Sequence, residues 1–392
     1  MLSAYPLAFR LPASVLAALT LSSVQLSSQQ VGRTPVEVTV LASPAALTAL
    51  GRTHLVYEVH LTNFGAAPIR VESLDVLDEH QQSVEALVGV RLAQRTSILG
   101  VPPARTDGGP VLPPGMRAVV YLFVSLAPER TAPTRLQHRL VMSTDAATRD
   151  TLLTSTTPVI ATDRAPIIAA PVRGGPWVAL RAPSATSGHR LSLVTLDGVT
   201  RVPQRFAVDW ARLGADGKLF HGDSTKNESW YSYGDTVFAV AAGKVVLARD
   251  SMPNGTPLTA PSAGPMDARA ATGNVLVLQM ADGRFASFAH LQRGTQRVKV
   301  GDMVREGQAI ALIGNSGNTF APHLHFQVSS AAELLAGEGL PYALRQFELV
   351  GRVAALPPLL SGTPWMANPA QPARIVNNES LLENMVVRFG RK

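Results

Sequence analysis

The segment HLVYEVHLTN (54–63) alternates with period two: Leu55, Tyr57, Val59 and Leu61 share one face, and His54, Val56, Glu58 and His60 the other. That period marks a half-buried strand. FGAAPIRVESLDVLD (64–78) reads as a turn and a second strand, LPPGMRAVVYLFVSLAP (112–128) as a turn and a fully buried strand, and LQHRLVMST (136–144) as another. Short strands punctuated by Gly and Pro predict a β-sandwich over residues 32–165. His54, His60, His80 and His138 fall within it and are expected at its surface.

The segment 164–190, RAPIIAAPVRGGPWVALRAPSATSGHR, is rich in Pro, Gly, Ser and Ala, and 166–190 reads as a linker and lead-in. Short apolar runs then recur over 191–350, in RFAVDWARL, DTVFAVAAGKVVLARD, NVLVLQMADGRFASFAHL and HLHFQVS, ended by Gly, Asp-Gly or Asn. The DG and VGD pieces are hairpin and turn signals. No long amphipathic helix is evident. Residues 351–392 read as a C-terminal tail with one late strand near Val386–Phe389. The fold class is therefore all-β: an N-terminal sandwich, immunoglobulin-like by pattern only, then a second β domain that does not repeat the first. Such a pattern carries no chemistry by itself.

Composition narrows the setting. Across 392 residues, 46% hydrophobic and 16% charged, the chain has material for sizeable cores. The absence of Cys excludes disulfides, thiolate metal sites and a Cys nucleophile. At the N-terminus, Arg10 is followed by an apolar stretch from Leu11 to about Leu26 and then by small polar residues, the layout of a signal peptide over 1–28. No later segment has the roughly 18 uninterrupted apolar residues of a span. The expectation is an exported protein, periplasmic or extracellular, with no stable membrane span after signal cleavage. A net charge of +7 suits an anionic partner. Without a basic run interleaved with aromatics, nucleic acid is not that partner. Anionic cell-wall polymer is the natural one for an exported chain, while the sequence names no protein partner for the N-terminal domain.

The candidate chemistry lies in GNSGNTFAPHLHFQV (314–328). On a strand, His323 and His325 project to one face, with Leu324 turned to the other. Two imidazoles side by side suit a metal ligand beside a general base. FAHL places His290 at the end of another strand, and FAVDW places Asp209 on a third. A carboxylate with several histidines is a plausible zinc set. Gly243, Gly314 and Gly317 are expected to supply turns with positive φ. Trp230, Tyr231 and Tyr233 lie in the loop 222–235, where they either line a substrate groove or pack the loop.

In order along the chain come RFAVDW, VAAGKV, AHL, VKVGDMVREGQ, GNSGN and PHLHF. This series resembles the M23 (LytM/lysostaphin-type) metallopeptidases over roughly residues 204–329. The resemblance implies a duplicated-hybrid-motif β domain holding one zinc ion (Zn2+) and cutting peptide cross-links or stem peptides of peptidoglycan. It implies Asp209 and His325 as metal ligands and His323 and His290 as catalytic histidines, His323 accepting a proton and His290 helping to orient the water and stabilise developing charge. Asn315, Asn318, Trp230 and Tyr233 become candidates for substrate binding.

One position departs from the family. Its first ligand is a His four residues before the Asp, and here that position is Arg205. A guanidinium has no acceptor and cannot ligate zinc. The third ligand is then His189, in SGHRLSL, with His221, in LFHGD, as the alternative. Two functions follow: an exported zinc metallo-endopeptidase acting on peptidoglycan, or a degenerate M23-like domain that binds cell wall or activates another murein hydrolase.

Overall fold

The alternating run at 54–63 forms most of one long strand, Arg52–Asn63, and it is buried on both faces rather than one. The structure, a computed structural model, describes residues 35–101, 108–144, 149–154, 157–159, 165–259 and 267–390. The expected signal peptide, 1–28, lies outside the described residues. Leu55, Tyr57, Val59 and Leu61 fill the core between two stacked sheets. One sheet contains Val36–Thr39, Ala45–Ala49, Arg52–Asn63, Arg117–Ser125 and Thr96–Ile98. The other is built on Ile69–Leu77, Ser83–Val88, Arg135–Ser143 and Arg149–Leu153, and sends Ile69, Val71, Leu74 and Leu140 inward. Each such buried side chain stabilises by about 1.5–3 kcal/mol.

The opposite face of Arg52–Asn63 docks on the C-terminal half of the chain. Val56, with Ala45, Leu47 and Ala49, joins the apolar cluster that holds Phe206, Val208 and Phe326. Glu58, on the same face, pairs with Arg205 at 2.7 Å. This docking corrects the expectation of surface histidines. His60, beside Glu58 and Arg205, is buried beneath it; His54 is buried against Ala49, Ser125 and Phe123, and His138 is fully buried within the sandwich, its Nε2 2.9 Å from the Tyr57 hydroxyl. Of the four, His80 is exposed. Period two tells which side chains share a face but not what covers that face.

The C-terminal half is organised on a twelve-stranded sheet. Its main path runs Ile167–Ile168, Ala343–Arg352, Met385–Arg388, Trp177–Leu180, Val208–Arg212, Leu324–Ser329, Phe285–Ala289, Val275–Met280, Gly243–Arg249 and Met303–Val304. Two expected boundaries change with it. Residues 166–190 are not a linker, because Trp177–Leu180 pairs along its whole length with Val208–Arg212. Residues 351–392 are not a separate tail, because Met385–Arg388 inserts between Trp177–Leu180 and Ala343–Arg352 and buries Met385, Val386 and Val387. Pro and Gly around these short apolar runs imitate linker composition, and the pairing partners lie far away in sequence.

Between His189 and Asp209 the chain forms a hairpin, Val194–Leu196 with Val199–Arg201. Asp197 and Gly198 turn it with φ of 51° and 74°, the primed turn that suits strand twist. Among the described residues the α-helices are short, Gly89–Gln94, Ala268–Thr272 and Leu356–Leu360, and no helix is long and apolar enough to cross a membrane.

Candidate functional site

Three adjacent strands set the centre of the site. Asp209 stands in register with His325 across one pairing, and His325 with Ala289, next to His290, across the other. His323 precedes the Leu324–Ser329 strand and shares the side of His325, while Leu324 enters the apolar core. Both rings reach the same carboxylate: His325 Nδ1 is 3.0 Å and His323 Nε2 3.4 Å from Asp209 Oδ1. His290 follows its strand with φ 61°. A non-Gly residue in the left-handed region costs on the order of 1 kcal/mol and is typical of side chains re-aimed at a functional site. Its ring lies 4.8 Å from that of His323 and 5.8 Å from that of His325.

His189 completes the group from a turn. Its Nε2 is 3.3 Å from Asp209 Oδ2, and its ring meets that of His325 edge-on at 4.8 Å. Ligand atoms of His189, Asp209 and His325 all lie within 4.8 Å of one another, and all three residues are buried. His221 lies elsewhere, exposed and against Tyr231. Arg205 is nearly buried but turns to Glu58 and Glu338, away from the histidines.

The hydrogen bonds around the cluster fix which nitrogens carry protons. Gln327 Nε2 donates to the carbonyls of Pro203 and Leu334, which points Gln327 Oε1 at His325 Nε2, 2.9 Å away. His325 therefore donates from Nε2 and presents bare Nδ1 to Asp209. His189 Nδ1 donates to the carbonyl of Arg181 at 3.1 Å, leaving bare Nε2 toward Asp209. His323 Nδ1 donates to Ala321, and His290 Nδ1 to Ser316, each at 2.8 Å. His189, His323 and His325 thus each turn their remaining ring nitrogen to one carboxylate, an arrangement that only protons or a cation between them can satisfy. The spacing suits one ion, since donors at zinc bond lengths of about 2.0–2.2 Å stand roughly 3.3 Å apart in a tetrahedron.

Charge follows the same geometry. Burial works to raise the Asp209 carboxyl, but His189 and His323 outweigh it and hold it well below the usual carboxylate range. Burial works to lower His323, and Asp209 overrides it, so His323 sits above its ordinary value. Burial pushes His290 well down, with His323 and His325 adding to the effect. Burial also lowers His325. Environments that drive neighbouring groups apart are typical of acid–base sites.

The histidines open on a cleft of about 410 Å³. Trp230 and Asn318 line it, with Leu219, Phe320 and Leu360 forming an apolar wall. Two substrate-binding candidates are not on it. Asn315 is fully buried and holds loops together, donating to Asn227 Oδ1 at 2.9 Å and to the Gly255 carbonyl at 3.1 Å. Tyr233 turns its hydroxyl to Asn254 at 2.9 Å. Of the three glycines expected at positive φ, Gly317 alone has it, at 84°. Gly314 and Gly243 are required instead by close approach: a Cβ would lie 2.4 Å from Gln292 N or 2.5 Å from Gln279 O.

Gln327 and Arg181 were not singled out in the sequence. Gln327 had a signal, two residues beyond His325 on the same strand face. Arg181 had none, because it acts through a backbone carbonyl.

Comparison with known proteins bears on these residues. The model of Peptidase family M23 matches residues 230–336, which contain His290, His323 and His325 but neither His189 nor Asp209. Lysostaphin of Staphylococcus simulans is 34% identical over 133 residues, 33% of this chain and 22% of lysostaphin. A peptidoglycan DD-endopeptidase, ShyC, of Vibrio cholerae is 32% identical over 78 residues, 19% of this chain and 18% of ShyC. The solved catalytic domain of S. simulans lysostaphin is 25% identical with a TM-score of 0.20, covering 32% of this chain and 86% of that one. The chain spans only about a fifth of the length of these curated relatives.

Proposed function

Residues 230–336 are a Peptidase family M23 domain, and on that premise we propose that the chain is an exported zinc metallo-endopeptidase that hydrolyses peptide bonds in peptidoglycan cross-links or stem peptides. The observation that carries the reading is the convergence of His189, Asp209 and His325 with bare donor atoms turned inward, although Arg205 stands where the family keeps its first His. Export rests on the N-terminal sequence pattern, and the wall substrate on the M23 match, the ShyC relative and the basic charge.

His189, Asp209 and His325 would hold the ion, offering two imidazole nitrogens and one carboxylate. Zinc there supplies Lewis acidity toward a peptide carbonyl and a water nucleophile near neutral pH. His323 accepts the water proton at Nε2, its Nδ1–H being committed to Ala321. His323 would act as base in its neutral form, and an ion held at Asp209 would offset the carboxylate charge that raises it. His290, with Nδ1–H committed to Ser316 and its ring held neutral by burial, presents a bare Nε2 that accepts rather than donates, so of the roles expected from sequence it suits orienting the water and not stabilising developing charge. The apolar wall and Trp230 exclude water from one side of the cleft, and Asn318 offers a polar contact to a peptide backbone.

The test is metal content by mass spectrometry on the full chain, with release of peptide fragments from purified peptidoglycan measured beside it. Near one zinc per chain is expected, lost in both His189→Ala and His325→Ala together with activity. Zinc lost in His325→Ala alone moves the third ligand away from His189. No zinc after reconstitution, with retention on cell wall, turns the conclusion to a wall-binding or hydrolase-activating domain.

A further inference from the structure

We propose that the N-terminal sandwich completes the metal centre: Glu58, acting through Arg190 and Arg205, is a positioning residue for His189. The inference rests on the reading of His189 as a metal ligand.

Asp209 and His325 need no such help, because they stand in register on paired strands. His189 stands outside any strand, in a turn closed by the backbone bonds of Arg190 and Leu191 to Ser187. A site residue on a loop is held only as well as the groups that support it. Here the support is the next residue. Arg190 has no exposed surface, and its guanidinium crosses into the sandwich. Nη2 donates to the carbonyls of Tyr57, at 2.8 Å, and Leu122, while Nη1 donates to Ser184 at 3.3 Å. Nε makes no hydrogen bond, and Glu58 Oε1, 3.6 Å away, is the carboxylate that offsets the guanidinium charge. Adjacent Cα atoms are about 3.8 Å apart. Pinning Arg190 therefore pins the backbone of His189, and the bond to Arg181 then sets its ring.

The same carboxylate fastens the approach to Asp209. Arg205 donates to Glu58 Oε2 from Nε at 3.0 Å and from Nη2 at 2.7 Å, and to Glu338 Oε2 from Nη1 at 3.0 Å. One buried anion of the sandwich thus holds the residue after His189 and the residue four before Asp209. Without Glu58, Arg205 would keep only Glu338, whose side chain is 26% exposed, and Arg190 would lose the carboxylate beside it. A buried cation deprived of its partner is strongly unfavourable, and both segments would shift to rehydrate. An Arg at 205 gives up ligation and gains the sandwich, and the sandwich holds the segment carrying His189.

The test uses the full chain. Metal affinity is read by competition with a chromophoric chelator, and ligand geometry by the visible spectrum of the cobalt-loaded protein. Glu58→Gln and Arg190→Lys are expected to weaken metal binding about 10–100-fold and to alter the cobalt bands. Leu140→Ala, which hollows the sandwich core, is expected to lower the melting temperature yet leave affinity within about twofold. In the unsubstituted protein, metal loading is expected to slow amide exchange in Arg52–Asn63 and Arg117–Ser125 more than in Ile69–Leu77, because coupling between sites is reciprocal. That last readout stands even where a variant does not fold. Equal slowing in both sheets, unchanged affinity in Glu58→Gln and Arg190→Lys, or an equal loss in Leu140→Ala overturns the inference. A chain that binds no metal at all overturns the reading of His189 with it. A chain that loses metal in His189→Ala but keeps it in Glu58→Gln overturns this inference alone.

Discussion

Asp209 and His325 face each other in register across two antiparallel strands, with Oδ1 and Nδ1 3.0 Å apart. The pair is set by sheet pairing, so its separation is fixed before any ion arrives. Gln327, two residues further along the same face, decides which nitrogen of His325 points inward.

That dependence predicts the effect of Gln327→Leu. His325 would lose the acceptor that fixes its tautomer, and two carbonyls would lose their donor. Metal affinity should fall about 10–100-fold while the site still binds at saturating ion. Chelator competition measures this, and an unchanged affinity would show that the tautomer is held by something other than Gln327.

His323 and His325 are expected to separate chemistry from metal binding. His323→Ala should retain the ion and lose activity by about 10²–10⁴-fold, the range of a general base. His325→Ala should lose both. Loss of the ion from His323→Ala would contradict this division of roles.

Acid stability should carry the signature of His138. Burial pushes its imidazole down to about 4 from 6.5. As pH falls below 6.5 the unfolded chain takes up a proton that the folded chain refuses, so stability is full above 6.5 and is lost down to about 4. The shift corresponds to a loss on the order of 3 kcal/mol. Denaturant midpoints for His138→Gln should vary less across that window than those of the unsubstituted protein. An equal slope in both would remove His138 as the cause.

Gly314→Ala should disturb the site without touching a ligand. The new Cβ would fall 2.4 Å from Gln292 N, and Gly314 N donates to the carbonyl of His290 at 3.1 Å. Overpacking of this kind costs about 1–3 kcal/mol. Gly283→Ala at an open turn, whose cost is only its φ of 82°, is the control. Thermal melts should rank Gly314→Ala below it, with activity lost at temperatures where the fold persists.

Removal of bound metal should lower the melting temperature of the unsubstituted protein, because a ligand that binds only the folded state stabilises it by mass action. Scanning calorimetry with and without chelator measures the difference. In His325→Ala the two scans should coincide.

The sequence by itself determined the all-β class and the M23-like order of motifs. Period two set His323 and His325 on one strand face, and the resemblance to the M23 family singled out Asp209, His290 and Arg205. The sequence raised His189 only as one of two alternatives, since nothing local says where a turn folds back. Tertiary structure decided the rest. It brought His189 to Asp209 and left His221 outside. It buried Asn315 among loops and turned the Tyr233 hydroxyl to Asn254, off the cleft. It turned the apolar runs at 177–180 and 385–388 into neighbours in one sheet. It also covered Glu58 and His60 with the second half of the chain. Each depends on contacts between residues distant in sequence, and a residue's type and spacing carry no record of which surface closes over it.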